Sequence, residues 1–550
     1  MVLSAMPFHK AHKMKKDASI ITINGKQRIK IKFPFDKQAI DQVKSLDGRK
    51  FHPEPEKYWS CPVNVPNIQQ LNEWGFALSK ELQDLILEKN DETKFSGSLE
   101  VPSFKLELFP YQKTGVAFIE AKRGRALIGD EMGLGKTPQA LAWFERHKDA
   151  RPLIIVCPSS LKLMWSKSVK NWMPDETVDI LYGRSETPIS GKIIIVNYEI
   201  LHFRVNQLIA LKPQGIIIDE SQNICNSTAK QTKATLKLAK RCPYVIGLSG
   251  TPIINRPIEG YNIIRLIDPM LVSASRFTYG KQFCGGHHNG FGWVFNGASN
   301  LPELRKVLKQ IMLRRLKKDV LPELPPKIKT VIPTELSNRE EYKNAENDFL
   351  EWVRNNRGER AVQRASNAEA LTRVEILKQV AVKGKLDAAR NWIDNFEGKL
   401  IVFVTHRTTA MKLKTHYPNA VMLLGGMGAK QIEDNVQQFQ SNPAVKLLIG
   451  ILDSRGRPAG VGHTLTAASA SLFVELPWSP SVCDQAEDRC HRIGQTADCV
   501  YAYYLIAAGT IEEQIMTLLD SKRKTVDMIH DGIDTEETSL LESLLNANNH

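Results

Sequence analysis

The sequence predicts an α/β protein: two parallel sheets flanked by helices, with helical insertions and a small basic module in front of them. Three observations predict it. Short apolar runs alternate with helical periods over residues 100–270, and the same alternation returns over residues 400–505. Between these stretches the chain is richer in charge and carries long helical periods instead.

The elements follow in order. Residues 1–50 alternate basic or polar positions with apolar ones at Ile21–Ile23 and Ile29–Phe33, a short β-rich pattern. A Pro-rich stretch comes next, then a helical period from Leu71 to Leu87. The first set of apolar runs is Ala126–Ile128, Leu153–Val156, Ile193–Val196, Gly215–Ile218 and Val245–Leu248. Runs of that length between helices predict strands buried on both faces, as parallel sheets require. The charged middle offers helices at Arg339–Asn355 and Arg364–Val382. The second set is Leu400–Val404, Ala420–Leu424, Leu447–Ile449, Ser471–Glu475 and Cys499–Leu505. A last helical period, Ile511–Met528, predicts a helix packed back on the body. The expected divisions are 1–98 for the module, 99–330 and 331–530 for the lobes with their linker and insertions, and 531–550 for a tail.

Composition narrows the classes. With 42% hydrophobic and 24% charged residues the chain reads as ordinary globular protein. No apolar run approaches the ~18 residues of a membrane span, and no secretory signal opens the chain, so no membrane partner is expected. Eight cysteines without paired spacing fit a reduced compartment. That means cytoplasm or nucleoid for a prokaryotic or viral protein and the nucleus for a eukaryotic one. The net charge is +14, and residues 1–58 hold 13 Lys+Arg against 6 Asp+Glu, a surplus of 7 and half the excess. Such a surplus favours phosphate backbones, though it also occurs on proteins that merely stay soluble.

The sharpest local signal is Ala126-Leu-Ile-Gly-Asp-Glu-Met-Gly-Leu-Gly-Lys136-Thr137. An apolar strand runs into a glycine turn and then into a helical segment. Gly133 and Gly135 let backbone N–H groups of Asp130, Glu131, Met132, Leu134 and their neighbours converge on phosphate oxygens, with the helix N-terminus behind them. Lys136 is expected to neutralise β/γ-phosphate charge and Thr137 to offer Mg²⁺ a hydroxyl. Asp130 stands where the usual phosphate-loop pattern has its first glycine. A second element supplies acid: Ile216-Ile-Ile218 leads into Asp219-Glu220-Ser221-Gln222, at the strand end where ligand chemistry sits in open α/β sheets. Asp219 is expected to hold Mg²⁺ and Glu220 to orient and deprotonate an attacking water.

These motifs resemble helicase superfamily two, and within it the Swi/Snf-type DNA translocases, over about residues 105–520. The resemblance implies two tandem RecA-like lobes. Leu108-Phe-Pro-Tyr-Gln112 resembles the adenine-reading segment, with Gln112 on the base. Val156-Cys-Pro-Ser-Ser-Leu161 with Trp165, and Val196-Asn-Tyr198, resemble DNA-contact blocks of the first lobe. Ser249-Gly-Thr-Pro252 resembles the block coupling nucleotide state to DNA grip, and Met312–Val320 the basic inter-lobe segment. Ile401–His406, with Leu423–Phe439, is similar to the fourth block. Ala459-Gly-Val-Gly462 through Ala468 is similar to the fifth, with Gly460 at the nucleotide. In Asp484-Gln-Ala-Glu-Asp-Arg489-Cys-His-Arg492-Ile-Gly-Gln495 the resemblance makes Arg489 and Arg492 arginine fingers and puts Gln485 beside the γ-phosphate. It implies ATP and Mg²⁺ as cofactors and movement on duplex DNA without strand separation in the usual helicase sense. Three departures stand out: Gln222 where the family has His, Cys225 near a common Lys position, and a longer Gly450–Pro458 with Arg455 and Arg457.

A second resemblance covers the module. Leu46–Phe51, Lys57-Tyr58-Trp59-Ser60-Cys61-Pro62 and Leu71 are similar to the module preceding the motor in annealing helicases of the HARP-like branch, which is associated with forked or branched DNA. Trp59 and Tyr58 among lysines suit stacking on an exposed base. Trp59 suits equally a core anchor of a small domain, and both readings can hold. Rivals to the rewinding translocase are a chromatin-type remodeller with the same motor and a non-catalytic DNA-binding scaffold. A monomer is expected. Cys284, His287 and His288 lack a second pair at finger spacing and are not read as a zinc site.

Overall fold

The computed structural model describes residues 16–90, 97–101, 104–253, 256–290, 292–355, 363–452 and 463–531. Residues Arg455, Arg457 and Gly460, and the tail beyond 531, lie outside the described residues.

The basic module is a small sheet of β1 (Asp17–Ile23), β2 (Lys26–Lys32), β3 (Lys50–His52), β4 (Tyr58–Pro62) and β5 (Ala77–Leu78), in the order β3-β4-β2-β1-β5. Asn24 and Gly25, both at positive φ, close the β1–β2 hairpin, the backbone that a tight two-residue turn demands. Ile29, Ile31 and Cys61 face the core, against Val43, Ile68 and Leu71 of the covering helices. One helix across Leu71–Leu87 does not form. Helix Val65–Glu73 stops at Trp74 and Gly75, whose φ of +77° is the left-handed value that ends helices, and a new helix, Lys80–Asn90, follows. The periodicity there belongs to two helices packed on one core.

The first lobe is a seven-stranded sheet, all parallel, of β6 (Arg125–Ile128), β7 (Leu153–Cys157), β8 (Val178–Ile180), β9 (Ile193–Asn197), β10 (Gly215–Asp219) and β11 (Tyr244–Leu248), completed by a later edge strand. Before that edge strand comes a two-stranded ribbon, β12 (His287–His288) and β13 (Trp293–Val294), with both histidines exposed while Cys284 is buried. The edge strand is β14 (Met312–Leu313), and the order is β14-β6-β11-β10-β7-β9-β8. Every predicted apolar run here is a strand, and β7, β9 and β10 are buried at each position.

The second lobe is a six-stranded parallel sheet of β15 (Lys327–Thr334), β16 (Leu400–Val404), β17 (Val421–Leu423), β18 (Leu447–Ile451), β19 (Ala470–Phe473) and β20 (Val500–Ala507), in the order β15-β20-β19-β16-β18-β17. The helices Arg339–Asn355 and Gln363–Asp394 pack on this lobe: Tyr342, Val374 and Leu377 share a core with Phe473 and Tyr504. Helix Ile511–Asp531 returns to the same core through Ile515 and Leu519. Among the described residues no helix is long and apolar enough to cross a membrane.

The module is pinned to the first lobe. The Asp47 carboxylate accepts from Ser273 Oγ at 2.5 Å and from the Ser275 backbone at 3.1 Å, and the Val65 N–H donates to the Met270 carbonyl at 2.8 Å.

Candidate active site

Three neighbouring strands, β6, β11 and β10, all point their C-terminal ends at one edge of the first lobe. Their following loops are the glycine loop, Ser249–Pro252 and Asp219–Glu220. Register places Leu248 opposite both Ile128 and Asp219, so the three loops leave the sheet at one level.

The glycine loop is shaped as a phosphate cradle. Gly133 and Gly135 have φ of +86° and +70°, a backbone that side chains resist. Gly135 also has no room: a Cβ there would meet Gln112 Nε2 at 2.3 Å. Gly135 caps helix Lys136–Arg146, so Lys136 and Thr137 open the helix and its positive end faces the loop. The Lys136 ammonium donates to the carbonyls of Asp130 (2.8 Å) and Glu131 (3.3 Å). Burial lowers its pKa, and the Glu220, Asp130 and Asp219 carboxylates oppose that.

Asp130, in the place of the usual glycine, turns its carboxylate away from the loop. Arg315 grips it through Nε (2.9 Å) and a second nitrogen (2.5 Å), and Gln139 adds a bond at 3.0 Å. The neighbouring Arg314 donates to the carbonyls of Gly129 (3.1 Å) and Gly250 (3.0 Å). The two arginines thus staple the base of the loop. Gln112 is buried beneath it, accepting from the Phe109 N–H at 3.1 Å and donating to the Leu134 carbonyl at 3.3 Å. Met132 packs on the next loop: a Cβ on Gly250 would meet Met132 Cγ at 2.7 Å and Lys136 Nζ at 3.6 Å.

The acidic pair is fixed by side chains from four segments. Asp219 Oδ2 accepts from Trp165 Nε1 at 2.7 Å, and the Tyr198 hydroxyl donates to the Asp219 carbonyl at 2.6 Å. Trp165 and Tyr198 are fully buried. Both side chains face inward and place a polar group against the strand end. Burial, reinforced by the adjacent Glu220 charge, raises the Asp219 pKa well above the usual carboxylate range, and the Trp165 bond opposes it. Glu220 sits at φ +48°, left-handed for a residue with a side chain, a strained backbone of the kind found at working sites. Its carboxylate accepts from Gln222 Nε2 at 2.6 Å. Gln222 Oε1 in turn accepts from Ser249 Oγ at 2.7 Å, and Ser249 Oγ accepts from the Thr251 N–H at 3.1 Å. An amide has the donor and the acceptor this relay needs, so Gln222 connects the acid to the third loop.

The second lobe closes the site. Gln485, on helix Pro480–Glu487, is buried, as is Arg489 in the turn that follows. Arg492 lies against the glycine loop, its Cγ 3.3 Å from where a Cβ on Gly133 would stand. Burial weakens the hold of Arg489 on its proton, as does the Arg492 cation, while the Glu220 charge strengthens it. Its Nε is buried without a partner among the described residues. The same burial and the two arginines drive His463 down to about 4, leaving it neutral. A cradle of bare backbone, a lysine on carbonyls and an orphaned guanidinium donor fit a polyanion with phosphate geometry.

The roles of Trp165 and Tyr198 as props, and of Arg314 and Arg315 as staples, do not follow from the motifs. Each residue lies in a block the sequence singles out, but a bond such as Arg315–Asp130 spans 185 positions and leaves no local pattern.

Two parallel lobes with a phosphate loop on one and an arginine turn on the other, meeting across a cleft, define a helicase-type motor fold. Comparison with known proteins narrows the class. Residues 111–383 match the SNF2-related domain and residues 384–494 the helicase conserved C-terminal domain. The SWI/SNF-related matrix-associated actin-dependent regulator of chromatin subfamily A-like protein 1 homolog of Caenorhabditis elegans is 31% identical over 93% of this chain and 76% of its own. The human DNA annealing helicase and endonuclease ZRANB3 is 32% identical over 78% of this chain, which spans 41% of that protein's length. Among solved structures, the Sulfolobus solfataricus SWI2/SNF2 ATPase core in complex with dsDNA is similar at 27% identity, covering 80% of this chain and 96% of that one with a TM-score of 0.40. The chain belongs to the SNF2-related branch of the helicase family.

Proposed function

We propose that the chain is a DNA-dependent ATPase that moves along duplex or branched DNA and rewinds or remodels it, as an annealing helicase of replication or repair does. The observation that carries the reading is the meeting of Lys136 and Arg492 at one glycine loop, beside Glu220, from opposite lobes. Bound Mg²⁺–ATP supplies the phosphoryl group. Lys136 balances the terminal phosphate charge, Thr137 and Asp219 suit the metal, and the Glu220 carboxylate orients a water and takes its proton. Arg489 and Arg492 add charge to the far side, so lobe closure gates turnover.

Rewinding is supported by the module. Arg28, Lys30 and Lys32 on β2 and Lys50 on β3 share the sheet face opposite its core, with Tyr58 between them and Lys30 Nζ 4.8 Å from the Tyr58 ring. Trp59 is on the other face, half-buried beside Phe51 at 5.0 Å, and acts as an edge anchor. Tyr58 is therefore the better placed of the two for a base, and DNA phosphates suit the surrounding charge. The protein is read as a monomer working where DNA is: the nucleus if the host is a eukaryote, the cytoplasm or nucleoid if the protein is prokaryotic or viral.

The test is ATP turnover without DNA and with single-stranded, duplex and forked DNA, then again without residues 1–98. Stimulation by duplex and forked DNA, with fork preference lost on truncation, supports the reading; DNA-independent turnover rejects it. The chromatin regulator among the relatives favours a second reading, a protein–DNA remodeller with the same motor. It predicts that nucleosomes stimulate turnover more than bare forks do.

A further inference from the structure

Lys317 is nearly fully buried, at 3% exposure, in a place where its ammonium touches both halves of the molecule. It follows β14, which pairs with β6 through Leu313 and Ile128, so its backbone belongs to the first lobe. Its N–H donates to the glycine-loop carboxylate of Glu131 at 2.6 Å, and its Nζ stands 3.9 Å from the same carboxylate. The Nζ then reaches across the cleft to Asp488 Oδ2 at 2.9 Å and the His491 carbonyl at 2.9 Å. The Asp488 carbonyl accepts from Arg492 Nε at 3.1 Å. Lys317 Cε and Arg492 Cγ both press on Gly133, 3.4 and 3.3 Å from the point where its Cβ would be. An unbroken path therefore runs from the phosphate loop through Glu131, Lys317 and Asp488 to the arginine turn.

We propose that Lys317 is a positioning residue of this motor: the cross-lobe tie that seats the Arg489–Arg492 turn on the phosphate loop. The inference rests on the ATPase reading. Lys317 acts through Asp488 and does not itself perform chemistry. Lys327, on β15 of the second lobe, also holds Asp488, at 3.0 Å. Asp488 therefore keeps a counter-ion inside its own lobe when Lys317 is replaced. Removing Lys317 cuts this tie between the lobes rather than stripping a buried carboxylate of its partners. Glu131 faces Lys317 from one side, and Asp488, His491 and Arg492 face it from the other, so the only charge altered at this junction is the one that bridges.

The test uses the full chain and duplex-stimulated ATP hydrolysis, with Lys317→Met and Lys317→Arg beside the wild type. A misplaced catalytic group commonly loses on the order of 10²-fold, so Lys317→Met is expected to lower kcat by about that factor. The KM for ATP should stay within about threefold, since uniform binding is untouched. Melting temperature should be unchanged, and Lys317→Arg should recover most of the turnover. Should the methionine variant not fold, Lys317→Gln reads the same quantity with a polar stem retained. A kcat within threefold of wild type overturns the proposal. So does a rise in KM that matches the fall in kcat, or an arginine variant no better than the methionine one. Absence of ATP turnover in the wild-type chain is a different failure, that of the proposed function itself.

Discussion

Glu220 shows how much of this site is decided by single side chains. Its backbone is held left-handed while Gln222 fixes its carboxylate, and its neighbour Asp219 hangs from Trp165. If Glu220 handles the attacking water, Glu220→Gln should lose turnover while still binding ATP, whereas Lys136→Ala should lose both; nucleotide-binding fluorescence beside ATPase rates separates them. Trp165→Phe keeps the ring in the core and deletes one hydrogen bond to a carboxylate. It should cost about 1.5–3 kcal/mol in stability, read by urea unfolding. Gly250→Ala should impair turnover because Met132, packed beside Lys136, already occupies the space. At this scale the sequence reveals residues that belong to a local spacing, such as Lys136, Thr137, Asp219 and Arg492. It hides those whose partners are distant: nothing near Asp130 announces Arg315, and nothing near Trp165 announces Asp219.

Elements are more legible than residues, for a plain reason. Buried parallel strands must be apolar throughout, so β7, β9, β10 and β16 stand out as runs. Strands that escape notice lack that constraint: β15 reads Lys-Ile-Lys-Thr-Val-Ile-Pro-Thr at a sheet edge and is exposed or half-buried at every position, and β8 has only three residues. Beside its apolar contacts, the longer insertion helix is held by a buried pair. Lys385 on helix Gln363–Asp394 donates to Glu512 at 2.7 and 2.8 Å and to the Leu505 carbonyl at 2.6 Å. Lys385→Met should therefore destabilise the second lobe by about 3–5 kcal/mol, the cost of stranding a buried charge. After β16, His406 is clamped by Glu375 at 2.7 Å and Glu475 at 2.9 Å, which raise its pKa to about 9. A histidine held above its unfolded value of 6.5 stabilises most while both states are charged. That contribution should be complete below pH 6.5, fade between 6.5 and 9, and be gone above; His406→Gln should flatten this part of a stability–pH curve.

At the scale of the whole molecule the proposed function makes the protein a motor in two halves, with a module carried on the first. If the chain grips DNA through backbone charge, as proposed, its binding should weaken steeply as salt rises. Replacing the module's lysines should reduce the slope of log affinity against log salt by about one for each phosphate that is no longer neutralised. The two-lobe plan is readable because the apolar rhythm stops and restarts. The packing of the insertion on the second lobe is not, because helical periodicity shows that a face is buried without showing against what. The most direct measurement is duplex-stimulated ATP turnover by Arg492→Ala, with nucleotide binding followed in the same samples. A motor whose second lobe supplies charge from across the cleft should lose about 10³-fold or more in turnover while nucleotide binding is largely kept. Turnover close to wild type would contradict it.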